Sequence, residues 1–185
     1  MFPRLVAALL AITVSGNVMA EDSSANSFKM LTPTEPLNAA AGFAYTQGLF
    51  VAKLTTTCKT LPEPMPAEAE NALASWRNRN VDLVEAAYFW VRYVGVLIKS
   101  QQGQEAADAF LRSAIAEFET QSDLALKDRF PSGNPDVETC HKWMSLLSGT
   151  GVDLRNPDVR ASREFIADLE TILAFQHKVD AQVKK

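Results

Sequence analysis

The stretch VDLVEAAYFWVRYVGVLI, Val81 to Ile98, decides the fold class. Val81, Val84, Tyr88, Val91 and Ile98 fall on one helical face, and Leu83, Ala87, Trp90, Val94 and Leu97 make a second. A helix that is apolar on two faces is expected to be buried on most sides. Asp82, Glu85 and Arg92, with Lys99 just beyond, leave a narrow polar strip. Charges spread along the segment in this way favour the centre of a helical bundle over a membrane span. Gln101-Gln102-Gly103 ends the segment.

The helical period continues on both sides. Upstream, Asn38 is the expected cap of a helix carrying Phe43, Phe50, Leu54 and Cys58. That helix must stop before Pro62 and Pro64, which lack the N–H that a helix interior needs. Pro66 suits the first turn of the next helix, Glu68 and Glu70 suit its positive end, and Ala69, Ala72, Leu73 and Trp76 make its buried stripe. Asn80 reads as a cap or kink where the long apolar helix begins. Downstream, residues 104 to 129 repeat the period through Ala107, Phe110, Leu111, Ala114 and Phe118, up to the break at Pro131-Ser132-Gly133. Asn134-Pro135-Asp136-Val137 and Asn156-Pro157-Asp158-Val159 each place Asn as a cap and Pro at the first helical position, so two further helices are expected to begin there. The first carries Val137, Cys140, Met144 and Leu147 and ends at Gly149-Thr150-Gly151, whose glycines suit a left-handed cap. The second carries Val159, Phe165, Ile166, Leu169, Ile172 and Leu173. No strand pattern of useful length occurs. The expectation is an all-α fold, a compact bundle of about five helices, with residues 37–185 forming a single domain.

The first twenty residues read as an export signal: Arg4, an apolar run from Leu5 to Val14, a break at Ser15-Gly16-Asn17, and Val18-Met19-Ala20 before a cleavage point at Glu21. Residues 21–36 are polar and contain two prolines, and read as a flexible leader. The expected location is the periplasm, or the cell exterior, with no stable membrane insertion after cleavage. Cys58 and Cys140 are the only cysteines, and an oxidising compartment makes a disulfide between them the expected state. Closing so long a loop disfavours the unfolded chain by about 4 to 5 kcal/mol in the chain-entropy model.

The 185 residues are 47% hydrophobic and 22% charged, values ordinary for a globular domain. The formal net charge is −4; without Arg4, 17 basic residues face 22 acids and the balance is −5. A protein that binds nucleic acid by neutralising phosphates needs a basic surplus or stripe, and the sequence has neither. No nucleic-acid partner is expected. Glu138 and His141 form one E-x-x-H pair, the spacing that puts a carboxylate and an imidazole on one helical face. A di-iron bundle needs a second pair, and His177 has Ala174 three residues before it. No G-x-S-x-G elbow, P-loop or G-x-G-x-x-G occurs. No catalytic residue, metal or cofactor is therefore assigned.

The most distinctive local string is Trp76-Arg77-Asn78-Arg79-Asn80. Trp76 reads as a core anchor with Arg79 on the surface; the functional alternative makes Trp76, Arg79 and Asn80 a partner-binding patch, since Trp and Arg dominate interface hot spots. Cys58, Pro62 or Pro64, Trp76-x-x-Arg79-Asn80 and a distant Cys140 together resemble a pattern in small exported helical proteins of Gram-negative bacteria. That resemblance implies the helical fold and the compartment and carries no activity. The reading reached from sequence is a non-enzymatic periplasmic protein that binds an envelope or secreted protein as inhibitor, immunity factor or accessory. The alternatives are a periplasmic stress chaperone, or an enzyme whose site is assembled from distant residues.

Overall fold

The computed structural model describes residues 30–184, so the expected signal at 1–20 and residues 21–29 of the expected leader lie outside the described residues. Five helices follow in order: α1 (Glu35–Cys58), α2 (Met65–Gln102), α3 (Gln104–Arg129), α4 (Val137–Ser148) and α5 (Arg160–Val183). The described residues contain no strand, and the fold is the expected helical bundle. None of these helices is long and apolar enough to cross a membrane.

The antiparallel pair α1–α2 is the centre. Asn38 meets Trp90 while Gly48 meets Val84, so residue numbers rise along one helix as they fall along the other. Small residues bring the pair close: Ala40, Ala41 and Ala44 are fully buried, and a Cβ at Gly48 would come within 2.9 Å of Val84 Cγ1. The α3 helix packs on one side of this pair and α5 on the other, while α4 lies chiefly against α2. Leu54, Leu83, Trp90, Leu147, Leu154, Leu169 and Ile172 are the large apolar side chains of the common core. Cys58 and Cys140 are both fully buried and form a disulfide with Cα atoms 5.7 Å apart, tying the end of α1 to α4.

Several boundaries differ from the sequence expectation. Thr34 caps α1, its hydroxyl accepting from Leu37 N, and Asn38 lies inside the helix with Oδ1 accepting from Trp90 Nε1 at 2.9 Å. Asp136 caps α4 by accepting from Thr139 N at 2.8 Å, two residues after Asn134. Asn156 does not cap α5, which begins at Arg160; it folds the preceding loop, accepting from Asp158 N at 2.9 Å and donating to Thr150 O at 2.7 Å. Gly149 has an ordinary negative φ of −84°, and Gly151 is there for space, since a Cβ would stand 2.8 Å from Leu146 Cδ2. Gly103 is the one-residue hinge between α2 and α3, and its φ of 91° suits glycine alone.

The largest difference concerns Asn80. The expected break between the helix bearing Trp76 and the helix starting at Val81 does not occur, and α2 runs unbroken through 38 residues. Asparagine disturbs a helix when its amide competes for the local backbone. Here the amide bonds back to Trp76 O one turn earlier without breaking the helix, and its remaining bonds run to Asp153 and Leu154 of the α4–α5 loop, which hold it in place inside α2.

Candidate functional site

Trp76, Arg79 and Asn80 lie on successive turns of α2, beneath the loop that joins α4 to α5. Trp76 is 2% exposed and donates from Nε1 to Val152 O at 3.2 Å. Asn80 is fully buried: its Nδ2 donates to Trp76 O at 2.8 Å and to Asp153 Oδ1 at 3.0 Å, and its Oδ1 accepts from Leu154 N at 2.7 Å. Arg79 donates from Nε to Asp153 Oδ2 at 2.7 Å and shares Nη2 among Asp153 Oδ1, Leu147 O and Gly149 O. Those carbonyls end α4, where a guanidinium meets the negative end of the helix dipole. Ser162 Oγ donates to Asp153 O at 3.0 Å, so Asp153 is held from both directions.

A second clamp stands beside the first. Arg155 donates to both carboxylate oxygens of Asp82, at 3.0 and 2.7 Å, and to Glu170 Oε1 at 2.7 Å. The hydrogen bonds from Arg155 hold the Asp82 carboxyl below its ordinary value against the opposing effect of burial, and the same bonds raise the Arg155 guanidinium. Together the two clamps fasten the α4–α5 loop onto the first half of α2. The string singled out in the sequence is therefore occupied by the chain itself: Trp76 and Asn80 are buried, and Arg79 keeps 31% of its side chain exposed while paired to Asp153.

The E-x-x-H pair also resolves. His141 Nδ1 lies 2.7 Å from Glu68 Oε2 on α2, beside a small depression of about 300 Å³ lined by Asn71, Met144 and Ser145. Among the described residues no three His, Cys, Asp or Glu side chains converge as a metal site would need.

The second half of α2 is covered differently. A shallow groove of about 930 Å³ runs along it, lined by Val84, Tyr88, Phe89, Tyr93 and Val96 of α2, Tyr45 of α1, Ile115 of α3, Val179 of α5 and Met30. Val96 is 61% exposed and Tyr88 40%, and Met30 and Ile115 are exposed as well. Tyr45 and Tyr88 stack with ring centroids 5.6 Å apart, and the Arg92 guanidinium carbon stands 5.8 Å from the centre of the Tyr88 ring. Tyr93 donates its hydroxyl to Leu31 O at 2.8 Å, fixing the chain where it enters the groove. Burial raises the Tyr45 and Tyr93 hydroxyls above their ordinary value, Tyr88 and Glu119 adding to the effect at Tyr45. The polar residues lining the groove are Glu85, Arg92 and Gln176, beside the three tyrosines. What it offers is apolar and aromatic contact area.

Sequence reasoning assigned Val81 and Tyr88 to a buried face, and the structure exposes both. The available signal was the register: Val81, Glu85, Tyr88, Arg92 and Val96 follow one another at spacings of four, three, four and four, so the apolar members share the strip with the two charges.

Comparisons of the chain with protein-family models, with curated proteins and with solved structures gave no match.

Proposed function

We propose that this is a non-enzymatic binding protein of the cell envelope, which recognises an envelope or secreted protein through the outer face of the second half of α2. The observation that carries the reading is the gathering of exposed Met30, Tyr88, Val96 and Ile115 around one groove. Scattered apolar residues on a surface are ordinary, whereas a contiguous patch rimmed by polar groups marks an interaction site. Among the described residues every element is a helix, so they offer no strand edge for a partner to extend. Recognition must run through side chains, and an apolar helix face with flanking charges is the partner surface that fits. The buried Cys58–Cys140 bridge supports the periplasm or the cell exterior, where disulfides persist.

Photocross-linking in intact cells tests this. A benzophenone amino acid replacing Val96 is expected to trap one envelope protein, and the same group replacing Leu124, exposed on α3 outside the groove, is expected not to. Ile115→Glu is expected to abolish the Val96 adduct. No adduct at Val96, equal adducts at both positions, or an adduct containing only another copy of this chain would refute a heterologous partner at this face.

A further inference from the structure

The exposed strip of α2 is complementary to itself when its direction is reversed, valine falling on valine and Glu85 on Arg92. Val81, Glu85, Tyr88, Arg92 and Val96 are all exposed, and the midpoint of the strip falls between Tyr88 and Phe89. Val81 and Val96 are equidistant from that point, and so are Glu85 and Arg92. A two-fold interface is built from one patch meeting itself, so the patch must be complementary to its own rotated copy. Lay a second α2 antiparallel across the first, with the axis through the midpoint. Val81 then meets Val96, Glu85 meets Arg92, and both pairs occur twice, with the two Tyr88 rings on either side of the axis. A parallel arrangement would instead set Glu85 against Glu85 and Arg92 against Arg92.

From this we infer that a second copy of the chain occupies the groove, in an antiparallel two-fold dimer through α2. The inference rests on the reading of this face as a docking surface and names its occupant when no other protein is bound; a heterologous partner would compete for it. Both charges are available for the task. Among the described residues neither Glu85 nor Arg92 belongs to an ion pair, and Arg92 meets only the face of Tyr88. The contrast with Arg79 and Arg155 is plain, since each of those is committed to a carboxylate. The strip spans about 22 Å of helix, and exposed Ile115 and Met30, which line the same groove, widen the apolar area toward what a specific interface of at least about 1,200 Å² requires.

Sedimentation equilibrium of the purified protein at low salt, from about 1 to 300 µM, tests the proposal against the usual affinity range of transient dimers. Wild type is expected to pass from monomer to dimer within that range. Arg92→Glu and Glu85→Arg are each expected to raise the dissociation constant about tenfold or more, because one substitution creates two like-charge contacts across the axis. The double variant Glu85→Arg/Arg92→Glu is expected to return within about threefold of wild type, since the swap restores both pairs. Circular dichroism is expected to be unchanged in all three, the substituted side chains being exposed. A monomer throughout the range overturns the proposal, as does a dimer indifferent to the single charge reversals or a double variant no better than either single one. Only this chain is present in the experiment. Its failure therefore leaves the heterologous reading standing, whereas a Val96 adduct containing only another copy of this chain would remove the heterologous partner and leave the dimer standing.

Discussion

The two halves of α2 carry the same kinds of residue and are used in opposite ways. In the first half Trp76 and Arg79 lie under α4 and its following loop, and the indole N–H and the guanidinium are both bonded to that part of the chain. In the second half Tyr88 and Arg92 lie over each other at the surface, and their outer side faces an open groove. An aromatic followed three or four residues later by arginine is thus no sign of a site by itself. What decides is whether another element covers it. The α4 helix has only 12 residues and reaches one end of α2. On the other half, α3 and α5 pack to either side and leave the strip between them uncovered.

The sharpest way to break the comparison is to remove the aromatic from each half. Trp76→Ala empties a core position and strands Val152 O, and is expected to cost about 3 to 5 kcal/mol. Tyr88→Ala removes a half-open stacked ring and is expected to cost about 1 kcal/mol or less. Thermal unfolding of the two variants at one low protein concentration checks the pair. A Tyr88→Ala loss as large as that of Trp76→Ala would mean that the second half is as much core as the first.

The arginines give the middle-sized test. Arg79→Ala leaves Asp153, with its side chain 8% exposed, as a buried carboxylate that keeps only Asn80 as a side-chain donor, and is expected to cost about 2 to 3 kcal/mol. Arg92→Ala is expected to change stability by no more than about 0.5 kcal/mol. Adding Asp153→Asn to the Arg79→Ala protein is expected to recover part of the loss, because the unpaired charge is the costly element. Urea unfolding of the three variants measures it; no recovery would place the loss in the uncapped end of α4 instead.

The same contrast explains what the sequence could reveal. Helix existence was legible from period and punctuation, because the prolines at 62 and 64, Gly103, and the Pro131-Ser132-Gly133 break act locally. The bridge between Cys58 and Cys140 was legible because only two cysteines exist and the apolar pattern turns both inward. Caps were less legible: at Asn134-Pro135-Asp136 two side chains can each cap, and Asp136 wins at α4. In Asn156-Pro157-Asp158 the loop is set by the hold on Asp153 and Leu154, some 70 residues away in sequence, so local preference yields. For the same reason Asn80 looked like a helix boundary when its partners were unseen. The open strip was hidden because Val81, Tyr88 and Val96 are apolar, and apolarity by itself does not tell an uncovered face from a buried one.

The smallest expected effect separates the two clamps by pH. Arg155 lowers the Asp82 carboxyl in the folded chain, so the unfolded chain binds its proton first as acid is added. The contribution of this pair is then fully present above the ordinary carboxylate value of 3.8 and is lost as pH falls through the lower folded value. Asp82 keeps 45% of its side chain exposed and Arg155 35%, so solvent screening limits the pair to about 1 kcal/mol or less. Stability measured from pH 6 down to about pH 2 is expected to fall less steeply in Asp82→Asn than in wild type, with the two curves converging at the acid end. Arg92→Ala is expected to run parallel to wild type over the same range, since among the described residues that arginine pairs with no carboxylate. Parallel curves for Asp82→Asn and wild type would show that the loop is held by the Arg79–Asn80–Asp153 clamp alone. The first half of α2 would then owe its closure to the buried network and nothing to the exposed ion pair beside it.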